Sequence, residues 1–291
     1  MQGDLIEMFD TSQVNTYKHC PRQYGYKYVD QLRKVREGIE GHDAGFGSKV
    51  HKALERYYGG IDQAEILAKF KDEYGEQLNL TDMAKTKDNG VLLLTQYFNY
   101  AKSLDAQFEV LSVEVSDTFE FVTGIPYTVK IDLVIKNKAT GEVYAMDHKT
   151  TGKGLDYSYW QEFEVSSAIT AYTDYCIRKY GQCSGVIINA IKCGFRQRAY
   201  RGEPAGFHYD FQRQVFNRTK EQISFWEKDT VKWMEWIEES KESGVFPLHQ
   251  SKMTCGYCQY KELCISCNDE QVREVMYETH NPLEYLNKEN K

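Results

Sequence analysis

The pattern of apolar and polar positions predicts a run of β-strands in the middle of the chain. Alternating or continuous apolar residues mark strands at residues 110–121, 127–135, 143–146, 184–193 and 207–211. A turn-rich link over residues 137–141 separates the second and third of these strands, so we expect that pair to form a hairpin. On the first strand, Glu114 is expected to face solvent, with an approach to a functional site as the alternative.

Helical periodicity surrounds these strands. Apolar residues recur at helical spacing over residues 12–28, 63–78, 91–104, 163–180 and 217–243. A further helix contains His51, and Ser48 is predicted to cap its first turn. Helices and strands mixed in this way predict an α/β fold, with a helical insertion over residues 59–108.

The strand that begins at residue 143 ends in polar residues, Asp147, His148 and Lys149. Because side chains alternate along a strand, Asp147 and Lys149 project to one side, with Cα atoms roughly 6.6 Å apart. The predicted hairpin brings Asp132 beside Asp147. Two neighbouring carboxylates repel each other unless a cation lies between them, and hard divalent ions prefer oxygen ligands. The sequence therefore predicts a Mg²⁺ or Mn²⁺ site.

Composition and charge narrow the class of protein. The 291 residues are 41% hydrophobic and 14% aromatic, which is typical of a globular protein with a substantial core. A net charge of -7 argues against a protein that coats nucleic acid nonspecifically, but it leaves room for a local basic groove. Candidates for such a groove, with solvated surface as the alternative, are Arg33, Lys34, Arg36, Arg196, Arg198 and Arg201.

The start of the sequence lacks the pattern of a secretory signal, and no apolar run is long enough to cross a membrane, so we expect a cytoplasmic protein. In that reducing compartment the eight cysteines are better explained by metal or cluster ligation than by disulfides. Three of them have no paired spacing and are expected to be buried or free thiols: Cys176, Cys183 and Cys193.

The other cysteines form a ligand pattern near the end of the sequence. Cys255, Cys258 and Cys264 make a compact triplet, and a fourth thiol is available from either Cys267 or Cys20. With Cys267 the four cysteines resemble a local Cys₄ zinc site. With Cys20 the set is split along the sequence, with one cysteine early in the chain and three late. Spacing alone leaves both alternatives open.

These motifs, taken in order, resemble the PD-(D/E)XK nuclease superfamily. Asp132 followed by Asp147-x-Lys149 is similar to its signature, and His51 is similar to the helical histidine of its RecB-like branch. The stretch at residues 12–28, which contains Cys20, resembles the N-terminal motif of RecB-like nucleases with an iron–sulfur cluster. Such nucleases include the AddB nuclease domain and CRISPR-associated RecB-like exonucleases.

The resemblance implies a restriction-endonuclease-like core, a mixed sheet flanked by helices, within a single domain over residues 1–291. It implies that Lys149 orients or activates the attacking water. The implied metal ligands are His51, Asp132, Asp147 and the main-chain carbonyl of His148. The segment at residues 244–268 is implied to bind a cluster. The implied ligands of a [4Fe–4S] cluster are Cys20, Cys255, Cys258 and Cys264.

The resemblance also implies a metal-dependent DNA nuclease, an exonuclease on single-stranded DNA or DNA ends. Recombination, repair, phage DNA metabolism and CRISPR adaptation are the implied settings, with recombination or CRISPR adaptation proteins as partners and no membrane. The alternative hypothesis is a catalytically silent, cluster-stabilised DNA-binding or assembly subunit. DNA binding without metal and without cleavage would distinguish that alternative.

Overall fold

The computed structural model describes residues 8–35, 42–74, 83–122, 124–199, 202 and 204–283, except for the side chains of residues 42–44. Two compact units can be distinguished by their internal contacts. Unit 1 comprises Met1–Gly38, Ser116–Val129 and Lys220–Lys291, and unit 2 comprises Ile39–Val115 and Lys130–Thr219. Two residues of the predicted basic groove, Arg36 and Arg201, lie outside the described residues. Residues 75–78 of the helix predicted over residues 63–78 also lie outside them.

The described residues form helices and strands in an order close to the predicted one. In chain order the elements are β1 (Phe9–Asp10), α1 (Thr11–His19), α2 (Pro21–Tyr24), a π-helical turn (Gly25–Val29), β2 (Leu32–Lys34), α3 (His42–Tyr58), α4 (Gln63–Tyr74), α5 (Lys87–Asp105), β3 (Phe108–Glu120), β4 (Pro126–Asn137), β5 (Val143–Thr151), α6 (Tyr157–Glu164), α7 (Ser167–Tyr180), β6 (Val186–Arg196), β7 (Gly206–Phe216), α8 (Lys220–Ser243), α9 (Lys252–Gly256), α10 (Lys261–Ile265), α11 (Glu270–Met276) and β8 (Tyr277–Thr279).

Unit 2 is built on a mixed sheet. β4 pairs with β5 in antiparallel orientation, with Leu133 opposite Met146. β5 pairs with β6 in parallel orientation, with Asp147 opposite Ile188, and β6 pairs with β7 in antiparallel orientation. The predicted hairpin between residues 127–135 and 143–146 is therefore confirmed, and β5 lies between two neighbouring strands.

Helices cover both faces of this sheet. Val50 and Leu54 of α3 and Leu94 of α5 are fully buried in one hydrophobic cluster with Ile191 of β6. Ile188 points to the opposite face of β6 from Ile191, and it is also fully buried. Helix α7 packs against β5 and β6. The result is an α/β fold with a mixed sheet flanked by helices, consistent with a restriction-endonuclease-like core.

Three helical predictions differ from the structure in their boundaries. The helix predicted over residues 12–28 is interrupted at Cys20, whose backbone is extended with φ -162 and ψ 113. The residue before a proline is disfavoured in the helical region, so Pro21 starts a new helix. Ser48 does not cap a helix, because α3 already begins at His42. The helix predicted over residues 163–180 is divided between α6 and α7.

Unit 1 brings together segments from early and late in the sequence. The hydroxyl of Tyr17 on α1 donates to the main-chain oxygen of Trp236 on α8 over 2.9 Å. β2 pairs with β8 in antiparallel orientation, with Leu32 opposite Thr279. A small hydrophobic core beside this ribbon contains Tyr26, Leu32, Tyr260, Leu263 and Tyr277.

Candidate active site

The end of β5 carries a buried acid and a partly exposed amine. The Lys149 Nζ atom lies 2.9 Å from Oδ1 and 2.6 Å from Oδ2 of Asp147. The Asp147 side chain is 10% exposed and the Lys149 side chain 42% exposed, so the ammonium group remains accessible. Burial raises the pKa of Asp147 to about 6; Lys149 opposes this shift, and the nearby Asp132 carboxylate adds to it.

Asp132 on β4 faces the same site. Its Oδ2 atom accepts a hydrogen bond from the main-chain N–H of His148 over 2.7 Å and lies 3.5 Å from Nδ1 of His51. Burial would raise the pKa of Asp132, but His51 and His148 together hold it well below its usual range. Burial likewise opposes protonation of His51, yet the Asp132 carboxylate raises its pKa above the ordinary value. The structure therefore brings together the acids, the histidine and the lysine that the sequence singled out.

A glycine allows the helix that carries His51 to approach the sheet. Gly47 lies one turn before His51 on α3, and a Cβ atom at Gly47 would be 2.9 Å from Oγ1 of Thr150 on β5. Such a distance is shorter than side chains tolerate, so another residue would require the Thr150 side chain to rotate or α3 to shift. Glycine at this position thus lets α3 lie close to β5 one turn before His51.

His51 and Asp132 line an open cavity of about 480 Å³. Glu114 is exposed, as predicted, but it also lines this cavity, with φ 49 in the left-handed region that non-glycine residues rarely adopt. Glu55, one turn after His51, was not singled out from the sequence. The cavity is lined by Gly47, Ser48, His51, Lys52, Glu55, Glu114, Asp132 and Thr150.

The donor set suits a divalent cation, since carboxylate oxygens and an imidazole nitrogen are ligands for Mg²⁺ and Mn²⁺. As they stand, the acids engage other groups of the chain: Asp147 contacts Lys149, and Asp132 accepts from His148. In the described part of the chain, no three His, Cys, Asp or Glu side chains are grouped closely enough to hold a metal ion without moving.

The ring of His148 points away from Asp147 and Lys149, as strand alternation predicts. It stacks on Tyr58 of α3, with ring centroids 5.4 Å apart and planes at 12°. Nδ2 of Asn189 on β6 lies 2.8 Å from Nδ1 of His148, so the amide donates to the ring. Burial lowers the pKa of His148 to about 3, which leaves the imidazole neutral. These contacts hold the peptide whose N–H group binds Asp132.

A buried network lies behind His148. The guanidinium of Arg213 forms an ion pair with Asp105 and donates from Nε to Oδ1 of Asn189 over 3.1 Å. It also donates to the hydroxyls of Tyr58 and Tyr97 over 3.0 and 3.1 Å. Because Arg213 can only donate, its bond to Oδ1 fixes the orientation of the Asn189 amide. The sequence gives no sign of this network, since no motif or regular spacing links Arg213 with Asp105.

Unit 1 contains a second candidate site, formed by cysteines. Burial raises the pKa of Cys258, and the thiols of Cys264, Cys20 and Cys255 raise it further. Burial also raises the pKa of Cys264, with Cys20 and Cys255 again adding to the shift. Cys20 therefore lies near the triplet, whereas Cys267 is exposed with φ 55. Four thiols are a suitable donor set for an iron–sulfur cluster, but among the described residues these cysteines are not gathered closely enough to hold a metal ion.

The predicted basic groove is only partly described. Arg33 forms an ion pair with Glu278 over 2.6 Å, and Lys34 forms one with Glu262 over 3.0 Å. Both cations therefore have acidic partners within unit 1, which favours the solvated-surface alternative for this cluster.

Comparison with known proteins identifies the family. The family model of the PD-(D/E)XK nuclease superfamily matches residues 10–265. No curated protein matches the chain. Solved structures also resemble it at low sequence identity, and three of them are examples. A "Putative exonuclease" from Eubacterium rectale is 14% identical, with a TM-score of 0.48, and the alignment covers 83% of this chain and 84% of that protein.

The other two solved structures are less similar. The protein SSO0001 is 10% identical with a TM-score of 0.34, over 88% of this chain and 85% of its own. LHK-Exo, solved in complex with dAMP, is 11% identical with a TM-score of 0.28, over 69% of this chain and 95% of its own.

The fold and the family match define a nuclease. The chain belongs to the PD-(D/E)XK nuclease superfamily, whose members typically use divalent metals such as Mg²⁺ or Mn²⁺. Among the helices that the structure describes, none combines the length and apolar character needed to span a membrane.

Proposed function

We propose that this nuclease is a divalent-metal-dependent exonuclease that acts on single-stranded DNA or DNA ends. The observation that carries the proposal is the convergence of His51, Asp132, Asp147 and Lys149, with His51 and Asp132 on the wall of an open cavity. Ends and single strands of DNA arise in recombination, repair, phage DNA metabolism and CRISPR adaptation, and the proposal places the enzyme among the proteins of such a process.

The proposed metal ligands are the His51 imidazole, the Asp132 and Asp147 carboxylates and the main-chain carbonyl of His148. Held by these groups, Mg²⁺ or Mn²⁺ would supply Lewis acidity that polarises the scissile phosphate and lowers the pKa of a bound water. Contacts within the chain support two of these proposed ligand residues, Asp132 and His148. The N–H of His148 binds Asp132, while the ring of the same residue is fixed by Tyr58 and Asn189.

Lys149 has a separate role in this proposal. Its ammonium group contacts both oxygens of Asp147 and still has 42% of its side chain exposed. It can therefore meet a phosphate from solvent while it remains paired with the acid. A cation at this position stabilises the negative charge that develops on the phosphoryl oxygens and orients the attacking water.

End-labelled DNA tests the proposed catalytic site. Purified protein with Mg²⁺ or Mn²⁺ should shorten linear single strands from an end and leave circular single strands intact. Asp147→Asn should lower the cleavage rate by at least about 10³-fold and Lys149→Ala by about 10²-fold, the range found when one group that stabilises a transition state is removed. Asp72→Asn, an exposed change on α4, is the control and should cleave like the unmodified protein. Full activity in both site variants would rule out the site, and cleavage of circles would rule out a strict exonuclease.

The cysteine site is proposed to hold a [4Fe–4S] cluster through Cys20, Cys255, Cys258 and Cys264. Anaerobically purified protein should be brown, with broad absorption near roughly 400 nm and matching iron and sulfide contents. Cys20→Ser should lose this absorption, whereas Cys267→Ser should keep it. Colourless protein that contains zinc, and that loses the zinc in Cys267→Ser but not in Cys20→Ser, would instead establish the local Cys₄ alternative.

A further inference from the structure

Strands β6 and β7 continue past the end of β5 in unit 2. The last residue of β5, Thr151, lies opposite Lys192 of β6. Beyond this point β6 and β7 stay paired with each other in antiparallel orientation over residues 192–196 and 206–210. These two segments, which we call the β6–β7 extension, therefore project past the end of β5 that carries the proposed catalytic residues.

One face of the β6–β7 extension is covered by helices. Cys193 is buried in the hydrophobic cluster that contains residues of α3 and α5, and Phe207 packs against the same cluster. Because side chains alternate along a strand, Lys192, Gly194 and Arg196 point to the opposite face. Lys192 and Arg196 are each half-buried there. The second face of the extension therefore presents two cations to solvent.

This second face is continuous with the face of β5 that carries Lys149. In the register of β5 and β6, Lys149 lies opposite Ala190, and Thr151 lies opposite Lys192. Side chains of laterally paired residues point to the same side of a sheet, so Lys149 and Lys192 share a face, with Cα atoms roughly 8 Å apart. Arg196 follows about 13 Å farther along β6. The three cations therefore form a row of about 20 Å that starts at the candidate active site.

The imidazole of His208 lies between the two cations of the β6–β7 extension. His208 is opposite Gly194, and a Cβ atom at Gly194 would be 2.6 Å from Cε1 and Nε2 of the ring. A larger residue at this position would require the ring to rotate away from β6. Burial lowers the pKa of His208, and the charges of Arg196 and Lys192 lower it further, in agreement with this placement.

We propose that Lys149, Lys192 and Arg196 form a track that binds the phosphates of a single DNA strand and leads its end to the candidate active site. This inference rests on the nuclease function proposed above. Proteins that bind single strands without sequence preference hold the backbone in a positively charged groove. At a stacked rise of about 3.4 Å per nucleotide, a row of about 20 Å accompanies about six nucleotides. Such a local row also lets a protein with a net charge of -7 hold DNA.

Binding of oligothymidylates from two to twelve nucleotides long tests the track. Competition with a labelled strand is followed by fluorescence anisotropy in EDTA, so that metal-dependent cleavage does not interfere. The affinity of the unmodified protein should rise with length and level off at about six nucleotides. Lys192→Gln combined with Arg196→Gln should weaken binding of the twelve-nucleotide strand about tenfold and leave the dinucleotide unaffected. The slope of log affinity against log salt should become shallower by about 1.4, or about 0.7 for each lost phosphate contact.

Two further variants control for the change in net charge. Lys102→Gln combined with Lys179→Gln removes two exposed cations from other parts of unit 2 and should leave affinity and salt slope unchanged. Asp210→Asn removes the acid that lies opposite Lys192, so it should strengthen binding of the twelve-nucleotide strand. The midpoint of thermal unfolding should be the same in all these proteins. Weakening of equal size at every strand length, or in the Lys102 and Lys179 variant as well, would overturn the track.

Cleavage kinetics separate the track from the proposed nuclease function. On an end-labelled twelve-nucleotide strand with Mn²⁺, the Lys192 and Arg196 variant should raise KM about tenfold and leave kcat unchanged. If the unmodified protein cleaves this strand and the variant has the same KM and affinity, the track is wrong and the nuclease function stands. If strand binding depends on the two cations but no cleavage occurs, the nuclease function is wrong and the track stands as a binding site.

Discussion

In the candidate active site, charged groups are already compensated within the chain. Lys149 pairs with Asp147, and His51 faces Asp132 across 3.5 Å. In the cysteine site of unit 1, by contrast, burial raises the pKa of Cys258 and Cys264, and neighbouring thiols add to both shifts. Four thiolates at such a place repel each other unless a cation or a cluster lies between them.

The two sites differ in what holds their side chains in position when no metal or cluster is bound. The acids of the active site have hydrogen-bond partners whether or not a metal is bound, so the fold itself holds them. The cysteines join segments far apart in the sequence, and a bound cluster would add covalent links between those segments. We therefore expect replacement of a proposed metal ligand to abolish activity at the first site. Replacement of a proposed cluster ligand should lower the free energy of unfolding at the second.

Replacement of Asp132 gives the largest expected effect. Asp132→Asn removes a charge from the proposed metal site but keeps an oxygen that can accept from the N–H of His148. We expect cleavage of end-labelled DNA to slow by at least about 10³-fold, equivalent to about 4 kcal/mol in the barrier. The free energy of unfolding in guanidinium chloride should change by less than about 1 kcal/mol. A variant that cleaves normally, or that unfolds before its activity can be measured, would contradict this division between function and stability.

Loss of the cysteine site should act in the opposite way. Cys20→Ser breaks the proposed link between α1 and the triplet, and a cross-link that closes a long loop stabilises a protein by about 2–4 kcal/mol. We expect the free energy of unfolding, measured anaerobically, to fall by about 3 kcal/mol. Cys267→Ser, an exposed position, should change it by less than about 0.5 kcal/mol. A larger loss in Cys267→Ser than in Cys20→Ser would favour the local zinc site.

Disruption of the network behind His148 should have an intermediate effect on stability and on activity. Asn189→Ala leaves Nδ1 of His148 and Nε of Arg213 without their buried partner, which is expected to lower stability by about 2 kcal/mol. Because the His148 peptide also loses its support, cleavage should need a higher Mn²⁺ concentration for half-maximal rate. Thr173→Ala, at another buried polar position of unit 2, is the control and should lower stability without moving the metal dependence. An unchanged Mn²⁺ requirement in Asn189→Ala would leave the network a purely structural role.

The parts of the active site that could be predicted from the sequence follow from patterns within a few neighbouring residues. The pairing of Asp132 with the end of β5 follows from strand alternation and a short turn, both of which act within a few residues. The ion pair between Arg213 and Asp105 joins residues 108 positions apart, and single charges at such positions look the same as surface charges. Similarly, Glu114 lies on the cavity wall and has a left-handed φ, and the alternation of its strand encodes neither.

Metal removal should have the smallest effect on stability. A ligand at a concentration near its dissociation constant stabilises the folded state by less than about 1 kcal/mol, and Asp147 keeps its contact with Lys149 in the absence of metal. We therefore expect EDTA to abolish cleavage but to lower the midpoint of thermal unfolding by less than about 4 °C relative to Mn²⁺, with iron content measured before and after as a control on the cysteine site. In Lys149→Ala the buried acid has lost its cation, so added Mn²⁺ should raise the midpoint more than it does in the unmodified protein. An equal or smaller rise would show that Lys149 does not hold the acid in place, and the contrast between the two sites would then fail.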